Sequence, residues 1–247
     1  ELGISDETGR IHDKKQAKFR QINRFLEHIK ETIPFLPREG KLLIYDLCCG
    51  KSYLSFATYY YFTAVLHRET ELYGMDLKAD CMSFCRQLAQ SLGFDGMRFE
   101  TGDIRLLPRD RVPDLVLSLH ACDIATDIVL QTAPQRGAKV LLSTPCCHHD
   151  LSRKIQSDGL RFVTEYPQLR GKLAEALTDG LRLARLRAYG YDTAAMELTD
   201  PDDTPKNTLL RAVKKDVSPQ QLQDAREKYK NALRFVLGRD AEEYPFA

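Results

Sequence analysis

The sequence predicts an α/β protein with a mainly parallel, seven-stranded sheet that carries helices on both faces. Three observations lead to this fold class. Short apolar runs alternate with helical patterns between residues 41 and 143, an order typical of parallel strands joined by crossover helices. A turn of small residues follows the first run, as at the ligand-binding edge of such sheets. The 247 residues suit one large domain with an appended helix or two.

The first predicted element is an amphipathic helix over residues 13–30. Its apolar residues, among them Ile22, Phe25 and Ile29, recur at three- and four-residue intervals. Lysine and arginine side chains occupy the other face, and Pro34 ends the pattern. We expect one side of this helix to be buried and the basic side to face solvent.

The remaining elements follow in a regular order. Strands are predicted at 41–47, 71–75, 97–101, 114–119, 139–143, 195–198 and 208–213, and helices at 52–66, 79–92 and 219–237. We therefore divide the chain into an amino-terminal helical segment (1–38), the main α/β domain (39–215) and a carboxy-terminal helix (216–247).

Composition restricts the classes of protein that the chain can belong to. The formal charge of +1 gives no overall attraction to nucleic acid, so such binding has to come from local patches. No apolar run approaches the roughly 18 residues of a membrane span, and the amino end is polar, unlike a signal peptide. The seven cysteines match no secreted disulfide pattern. We expect a cytoplasmic protein with reduced thiols and no membrane partner.

The turn after the first predicted strand is the first candidate ligand site. An acidic residue, Asp46, ends the strand, and Cys48, Gly50 and Ser52 supply small side chains up to the start of the next helix. Small residues let a ligand approach the backbone, and the free amides of a helix start can bind a carboxylate or phosphate. The turn alone is also compatible with an ordinary connection in another doubly wound enzyme.

Two other nucleotide ligands fit this turn less well. The dinucleotide fingerprint G-x-G-x-x-G is absent, since Cys48 stands at its first glycine position. The phosphate loop of the nucleotide triphosphatases shares Gly-Lys-Ser at residues 50–52, but Tyr45 replaces its earlier glycine. A nucleoside cofactor of a different kind, S-adenosylmethionine, remains the better hypothesis.

Acidic residues at the next two strand ends favour that hypothesis. Asp76 follows Gly50 by 26 residues and is suited to accept both ribose hydroxyls. Asp103 ends the third strand and is suited to the adenine amino group, with Leu77 and Ile104 on either side of the ring. Each acid alone is equally compatible with a helix cap. Three acids after three consecutive strands make capping a poorer explanation for the set.

Five stretches of the chain carry a family resemblance, at 18–25, 50–57, 120–127, 145–148 and 204–207. They resemble one branch of the class I methyltransferases, which use S-adenosylmethionine and have a Rossmann-like fold. That branch includes bacterial methyltransferase-domain proteins and the methyltransferase domain of the glutathione S-transferase C-terminal-domain-containing protein. A more distant resemblance is to tRNA ribose methyltransferases with a Cys-His-His element. The resemblance runs from about residue 10 to residue 215, and Cys48 departs from it where many relatives have glycine.

The resemblance directs attention to the end of the fourth strand for catalysis. Methyltransferases commonly meet the transferred methyl there, and methyl transfer requires positioning and removal of an acceptor proton. We predict that His120 contacts the donor or acts as the base and that Asp123 orients it. The alternative is a histidine bonded to the backbone and an aspartate that caps the next helix.

A polar segment after the fifth strand is the candidate acceptor site, with Cys146, His148 and His149 as substrate-binding residues. Cysteine and histidine are zinc ligands, but zinc sites usually separate their ligands by two or more residues. We therefore predict no metal, with packing as the alternative to acceptor binding. Lys206 and Asn207, between the two late strands, are predicted to line the same rim.

The predicted acceptor is RNA, either tRNA or rRNA, because the resemblance points to RNA. The basic face of the first helix and an arginine-rich series at 161–187 would supply phosphate contacts. Two alternatives stay open: a protein or small-molecule methyltransferase on the same fold, and a catalytically silent domain that binds S-adenosylmethionine and recruits partners. The oligomeric state is not predicted.

Overall fold

The structure is a computed structural model that describes residues 10–107, 110–119, 121–199, 207–242 and 244. Its centre is one seven-stranded sheet with the order β3-β2-β1-β4-β5-β7-β6. The strands are β1 (Leu42–Leu47), β2 (Thr70–Asp76), β3 (Met97–Thr101), β4 (Leu115–Leu119), β5 (Val140–Thr144), β6 (Tyr191–Glu197) and β7 (Thr208–Lys214). All neighbours are parallel except the pairs that β7 forms with β5 and β6. The predicted α/β fold, mainly parallel and Rossmann-like, is confirmed.

In the described ranges, eight α-helices accompany the sheet. They are α1 (Gln16–Thr32), α2 (Tyr53–Tyr60), α3 (Ala79–Ser91), α4 (Asp123–Gln135), α5 (His149–Lys154), α6 (Arg161–Thr164), α7 (Pro167–Ala188) and α8 (Pro219–Leu237). Within the described part of the chain, no helix has the length and apolar character that a membrane span requires.

Strand β1 shows how the sheet is covered on both faces. Its side chains alternate: Leu42 and Ile44 belong to one buried cluster, and Leu43 and Tyr45 to the other. Helices α1, α2 and α3 contribute to the first cluster, and α4 and α7 to the second. A strand buried on both sides reads as a continuous apolar run, which is what the sequence of β1 shows.

The site-forming edge of the sheet lies where the strand order reverses. From β1 the chain moves outward through β2 to β3, and then returns to place β4 on the other side of β1. The carboxyl ends of β1 and β4 therefore lie side by side with their following loops diverging, which opens a crevice.

Two details differ from the predictions and have local causes. The helix predicted at 52–66 is α2 followed by a π-helical segment, Tyr61–Val65. Strand β6 begins four residues earlier than predicted, because it pairs with β7 along its whole length. The long helix α7 packs against α8 in a third apolar cluster that includes Leu181 and Leu233, so α8 is anchored to the main fold. The division of the chain at residues 38 and 215 stays a prediction.

Part of the predicted arginine series has a structural role. Arg182 is 2% exposed and forms a two-pronged ion pair with Asp127 of α4, with Nε–Oδ1 and Nη2–Oδ2 distances of 3.1 and 2.8 Å. Its Nη1 also donates to Asp179 Oδ1 at 3.1 Å. Arg185 is buried as well, and its Nη2 donates to the Asp127 carbonyl at 3.0 Å. These two arginines hold α7 against α4, and the expectation that they contact phosphates is wrong.

We predict that Arg182→Met destabilises the protein by about 3–5 kcal/mol, because Asp179 and Asp127 stay buried after losing Arg182, and Asp127 keeps only Arg185 Nη2, 3.5 Å from its Oδ1. Urea unfolding measures this difference. Lys172→Ala, an exposed position on the same helix, is the control and should change stability by less than about 0.5 kcal/mol. Equal stability of the two variants would contradict the role given to the pair.

Candidate active site

The turn between β1 and α2 has an unusual backbone. Cys48, Gly50 and Ser52 all have positive φ angles, of 60°, 52° and 56°. Two hydrogen bonds hold the turn: the Cys48 amide donates to the Met75 carbonyl at 2.8 Å, and the Ser52 amide donates to the Cys49 carbonyl at 2.8 Å. Left-handed conformations are rare outside glycine and persist only where the surroundings enforce them. The backbone is thus folded tightly away from the space above the turn.

Asp46 lies directly beneath this turn. Its Oδ2 accepts hydrogen bonds from the hydroxyls of Ser52 and Ser55, the latter at 2.6 Å. Its Oδ1 is buried and has no hydrogen-bond partner among the described residues. Burial raises the pKa of the Asp46 carboxyl to about 6, although the two serine hydroxyls act in the opposite direction. One oxygen therefore fastens the turn, and the other remains available to a cation.

Asp76 joins the first two strand ends. Its Oδ2 accepts the Gly50 amide at 2.9 Å, and its Oδ1 accepts the Lys78 amide at 2.9 Å. Each oxygen of a carboxylate has a second lone pair for a ligand hydroxyl. Leu77, the next residue, leaves 73% of its surface exposed.

These groups surround one cavity of about 490 Å³, a size typical of small-molecule sites. The predicted residues that line it are Asp46, Cys48, Gly50, Ser52, Asp76 and Leu77. Several further lining residues were not predicted as site residues, among them Lys18, Tyr53, Lys78 and Cys122. Lys18 lies on the basic face of α1 and opens the first stretch of the family resemblance, and these were the sequence signals for it. Its Nζ lies 5.8 Å from the centre of the Tyr53 ring.

Asp103 and Ile104 do not line this cavity. Both oxygens of Asp103 accept hydrogen bonds from the side chain of Arg105, and Oδ1 also accepts the Arg105 amide at 2.9 Å. These bonds lower the pKa of the Asp103 carboxyl to about 2. Ile104 is buried in the apolar cluster that contains Met75.

At the end of β4, Asp123 begins helix α4 with a φ of 31°. Its Oδ2 accepts the amide of Asp150 at 2.8 Å, which ties α4 to α5. Its carbonyl accepts Arg182 Nη2 at 3.0 Å. His120, predicted to act beside it, lies outside the described residues.

The residues that follow β5 have different surroundings. His148 is buried, and its Nε2 lies 3.1 Å from Asp179 Oδ1, so the ring belongs to the Arg182 network. His149 is exposed at the start of α5. Cys146 is half-buried, its Sγ lies 3.6 Å from the Ala121 carbonyl, and burial raises the pKa of the Cys146 thiol to about 12.

Asn207 closes the connection between β6 and β7. Its Oδ1 accepts the Thr199 amide at 2.8 Å, and its Nδ2 donates to the Thr199 carbonyl at 2.7 Å. Lys206 lies outside the described residues. The amide of Asn207 is thus fully engaged at the base of this loop.

Residues 17–154, more than half of the chain, match the sequence family described as "Methyltransferase domain". Of solved structures, the citrinin polyketide synthase CMeT domain aligns at a TM-score of 0.53 and 15% identity, over 79% of this chain and 52% of that one. This chain therefore spans about half the length of that structure. Magnesium protoporphyrin IX methyltransferase (ChlM) from Synechocystis PCC 6803, solved with bound SAH, aligns at 0.50 and 17% identity, over 85% and 90% of the two chains.

No curated protein sequence matches the chain. The solved structures show the shared fold, and the family match contains the turn after β1 together with Asp76, Asp123 and Cys146. The chain therefore belongs to this family of methyltransferase domains, and the prediction of an S-adenosylmethionine-dependent methyltransferase is confirmed.

Proposed function

We propose that this methyltransferase acts on RNA, either tRNA or rRNA. The observation that carries the proposal is the charge around the cavity: Lys18, Lys51 and Lys78 all line it. Lys14 and Lys15, exposed at the start of α1, extend the positive surface beyond Lys18. The chain as a whole has a formal charge of only +1, so this concentration is local. Clustered lysines beside a cavity are suited to the phosphates of a nucleic acid.

The residues of the cavity fit the donor. When bound, S-adenosylmethionine supplies a methyl group on a sulfonium, which reacts by in-line displacement. The unpartnered Oδ1 of Asp46 is suited to its ammonium group, since an ionised carboxylate without a partner is costly to bury. The remaining lone pairs of Asp76 are suited to the ribose hydroxyls, and the exposed side chain of Leu77 to one face of the adenine.

The other predicted donor contacts, from Asp103 and Ile104, require local rearrangements. Asp103 reaches the adenine amino group only if Arg105 releases part of its pairing, because that side chain occupies both carboxylate oxygens. Ile104 reaches the ring only if the core around Met75 opens. Asp76 and Leu77 are therefore the stronger assignments for the nucleoside.

On the acceptor side, we assign proton removal to one residue and give the others positioning or binding roles. We assign proton removal to His120, which in the sequence stands between Leu119 and Ala121, two residues that line the cavity. Asp123 acts as a positioning residue, since its carboxylate holds α5 against α4. His149 and Lys206 are proposed acceptor contacts, whereas the bonded side chains of His148 and Asn207 set the position of their segments.

We expect Asp76→Ala to weaken binding of S-adenosylhomocysteine by roughly 10- to 100-fold, because hydrogen bonds to a charged group contribute about 1.5–3 kcal/mol. Isothermal titration calorimetry measures the affinity. Asp80→Ala, an exposed acid at the start of α3, is the matched control and should bind as the wild type does. An Asp76→Ala affinity within twofold of the wild type would remove Asp76 from the donor site.

The raised pKa of Asp46 predicts a pH-dependent affinity. Above pH 6 the carboxyl is ionised and attracts the donor's ammonium group, and below pH 6 it is neutral. Binding of S-adenosylhomocysteine should therefore be about tenfold weaker at pH 5 than at pH 8. In Asp46→Asn, which keeps an oxygen for the serines, the profile should be flat. Parallel profiles for the two proteins would show that another group titrates.

The acceptor is identified by incubating the enzyme with methyl-labelled donor and with RNA, protein and metabolite fractions separately. We expect label in RNA, and we expect Lys51→Glu to lower kcat/KM for RNA by at least about tenfold, since charge repulsion replaces attraction. Lys228→Glu, exposed on α8, is the control for net charge. Label that appears only in protein or metabolites would overturn the RNA assignment.

A further inference from the structure

Three thiols from two neighbouring strand ends meet beside the cavity. Cys122 directly precedes α4, and Cys146 and Cys147 follow β5. The sulfurs of Cys146 and Cys147 are 3.7 Å apart, those of Cys147 and Cys122 are 3.9 Å apart, and all three lie within 4.8 Å of one another. We call these residues the three-thiol cluster. None of the three is part of a disulfide, and no other group of three or more potential metal ligands occurs in the described part of the chain.

The sulfur separations match those of a metal–thiolate site. Zinc binds cysteine at Zn–S distances of about 2.3 Å in tetrahedral geometry, which places neighbouring sulfurs about 3.8 Å apart. Two of the three pairs already lie within about 0.1 Å of that value. The third pair needs a small side-chain rotation at most. Adjacent cysteines often point to opposite sides, so two adjacent sulfurs that converge with a third define a specific arrangement.

We propose that the three-thiol cluster binds one zinc ion at the wall of the donor cavity. Three S–Zn bonds form, and each coordinated thiol releases its proton to solvent. Soft thiolate ligands favour zinc over magnesium or calcium, which prefer oxygen. Cys122 is exposed and lines the cavity, so it provides an entry path for the ion.

The composition of the site suggests how the ion would act. Zinc with three protein ligands keeps a fourth position for water or substrate. Because Cys122 lines the cavity, an oxygen or nitrogen atom of the acceptor can occupy that position next to the donor. The segment from Cys146 to His149 alone lacks the ligand spacing that zinc sites usually have. In the structure His148 turns to Asp179, and Cys122 joins the two cysteines from a different strand.

Zinc titration of the reduced, chelator-treated full chain tests the proposal, with a chromophoric chelator as competitor. We expect one zinc ion per wild-type chain and at least about a 100-fold loss of affinity in Cys122→Ser and in Cys147→Ser. Cobalt(II) in place of zinc gives a second readout: thiolate-to-cobalt charge-transfer absorption in the wild type, reduced in both variants.

Cys81→Ser is the matched control, a half-buried cysteine of α3 outside the cluster, and it should keep full zinc binding. Circular dichroism and thermal unfolding establish that each variant is folded. A folded, reduced wild type without stoichiometric zinc would overturn the proposal, as would equal losses in Cys81→Ser and Cys147→Ser. Neither donor nor RNA enters these measurements, so their outcome is independent of the proposed acceptor.

Discussion

The carboxylate of Asp46 is buried, with 1% of the residue exposed, under a turn whose backbone conformation is unfavourable. Left-handed conformations at Cys48 and Ser52 cost of order 1–3 kcal/mol each, and charge-assisted bonds to the Asp46 carboxylate offset part of that cost. Asp76 completes the restraint by accepting the Gly50 amide from the neighbouring strand end. The cavity exists because two carboxylates hold the turn back from the space above the sheet.

A second polar network supports the opposite wall of the site. Arg182 connects Asp127 and Asp179, and through Asp179 it reaches the ring of His148. The same guanidinium bonds the carbonyl of Asp123. Helices α4, α5 and α7 thus meet around one buried cation, and the residues after β4 and β5 begin from fixed positions. Charge pairs join these helices, whereas the turn after β1 is held by hydrogen bonds from its amides and hydroxyls to two carboxylates.

The fold was largely predictable from the sequence, and the site only in part. Parallel strands buried on both faces leave apolar runs that pattern analysis detects, so β3 and α8 were predicted at their observed limits. The residues Asp46 and Asp76 were identified because strand ends converge at one edge of a parallel sheet.

The position of a residue in the sequence does not show where its side chain points in the fold. Asp103 also follows a strand, yet Arg105, two residues later, captures its carboxylate. His148 and Arg182 are polar residues in polar segments, and only tertiary packing decides that they face inward. Cys122 lies beside Cys147 because β4 and β5 are neighbours in the sheet, although 24 residues separate the two cysteines in the chain. Contacts between strands that are distant in sequence leave no periodic signal.

The reversed direction of β7 has an evolutionary consequence. Because β7 runs antiparallel to β5, its first residues lie at the edge where β5 ends. Asn207 closes the base of that connection with two hydrogen bonds to Thr199. Doubling the length of a flexible loop costs only about 0.6 kcal/mol once its base is closed. Insertions between these two residues therefore cost the fold little stability, so this connection can change in length and sequence during evolution while the sheet and the cavity beside β1 stay intact.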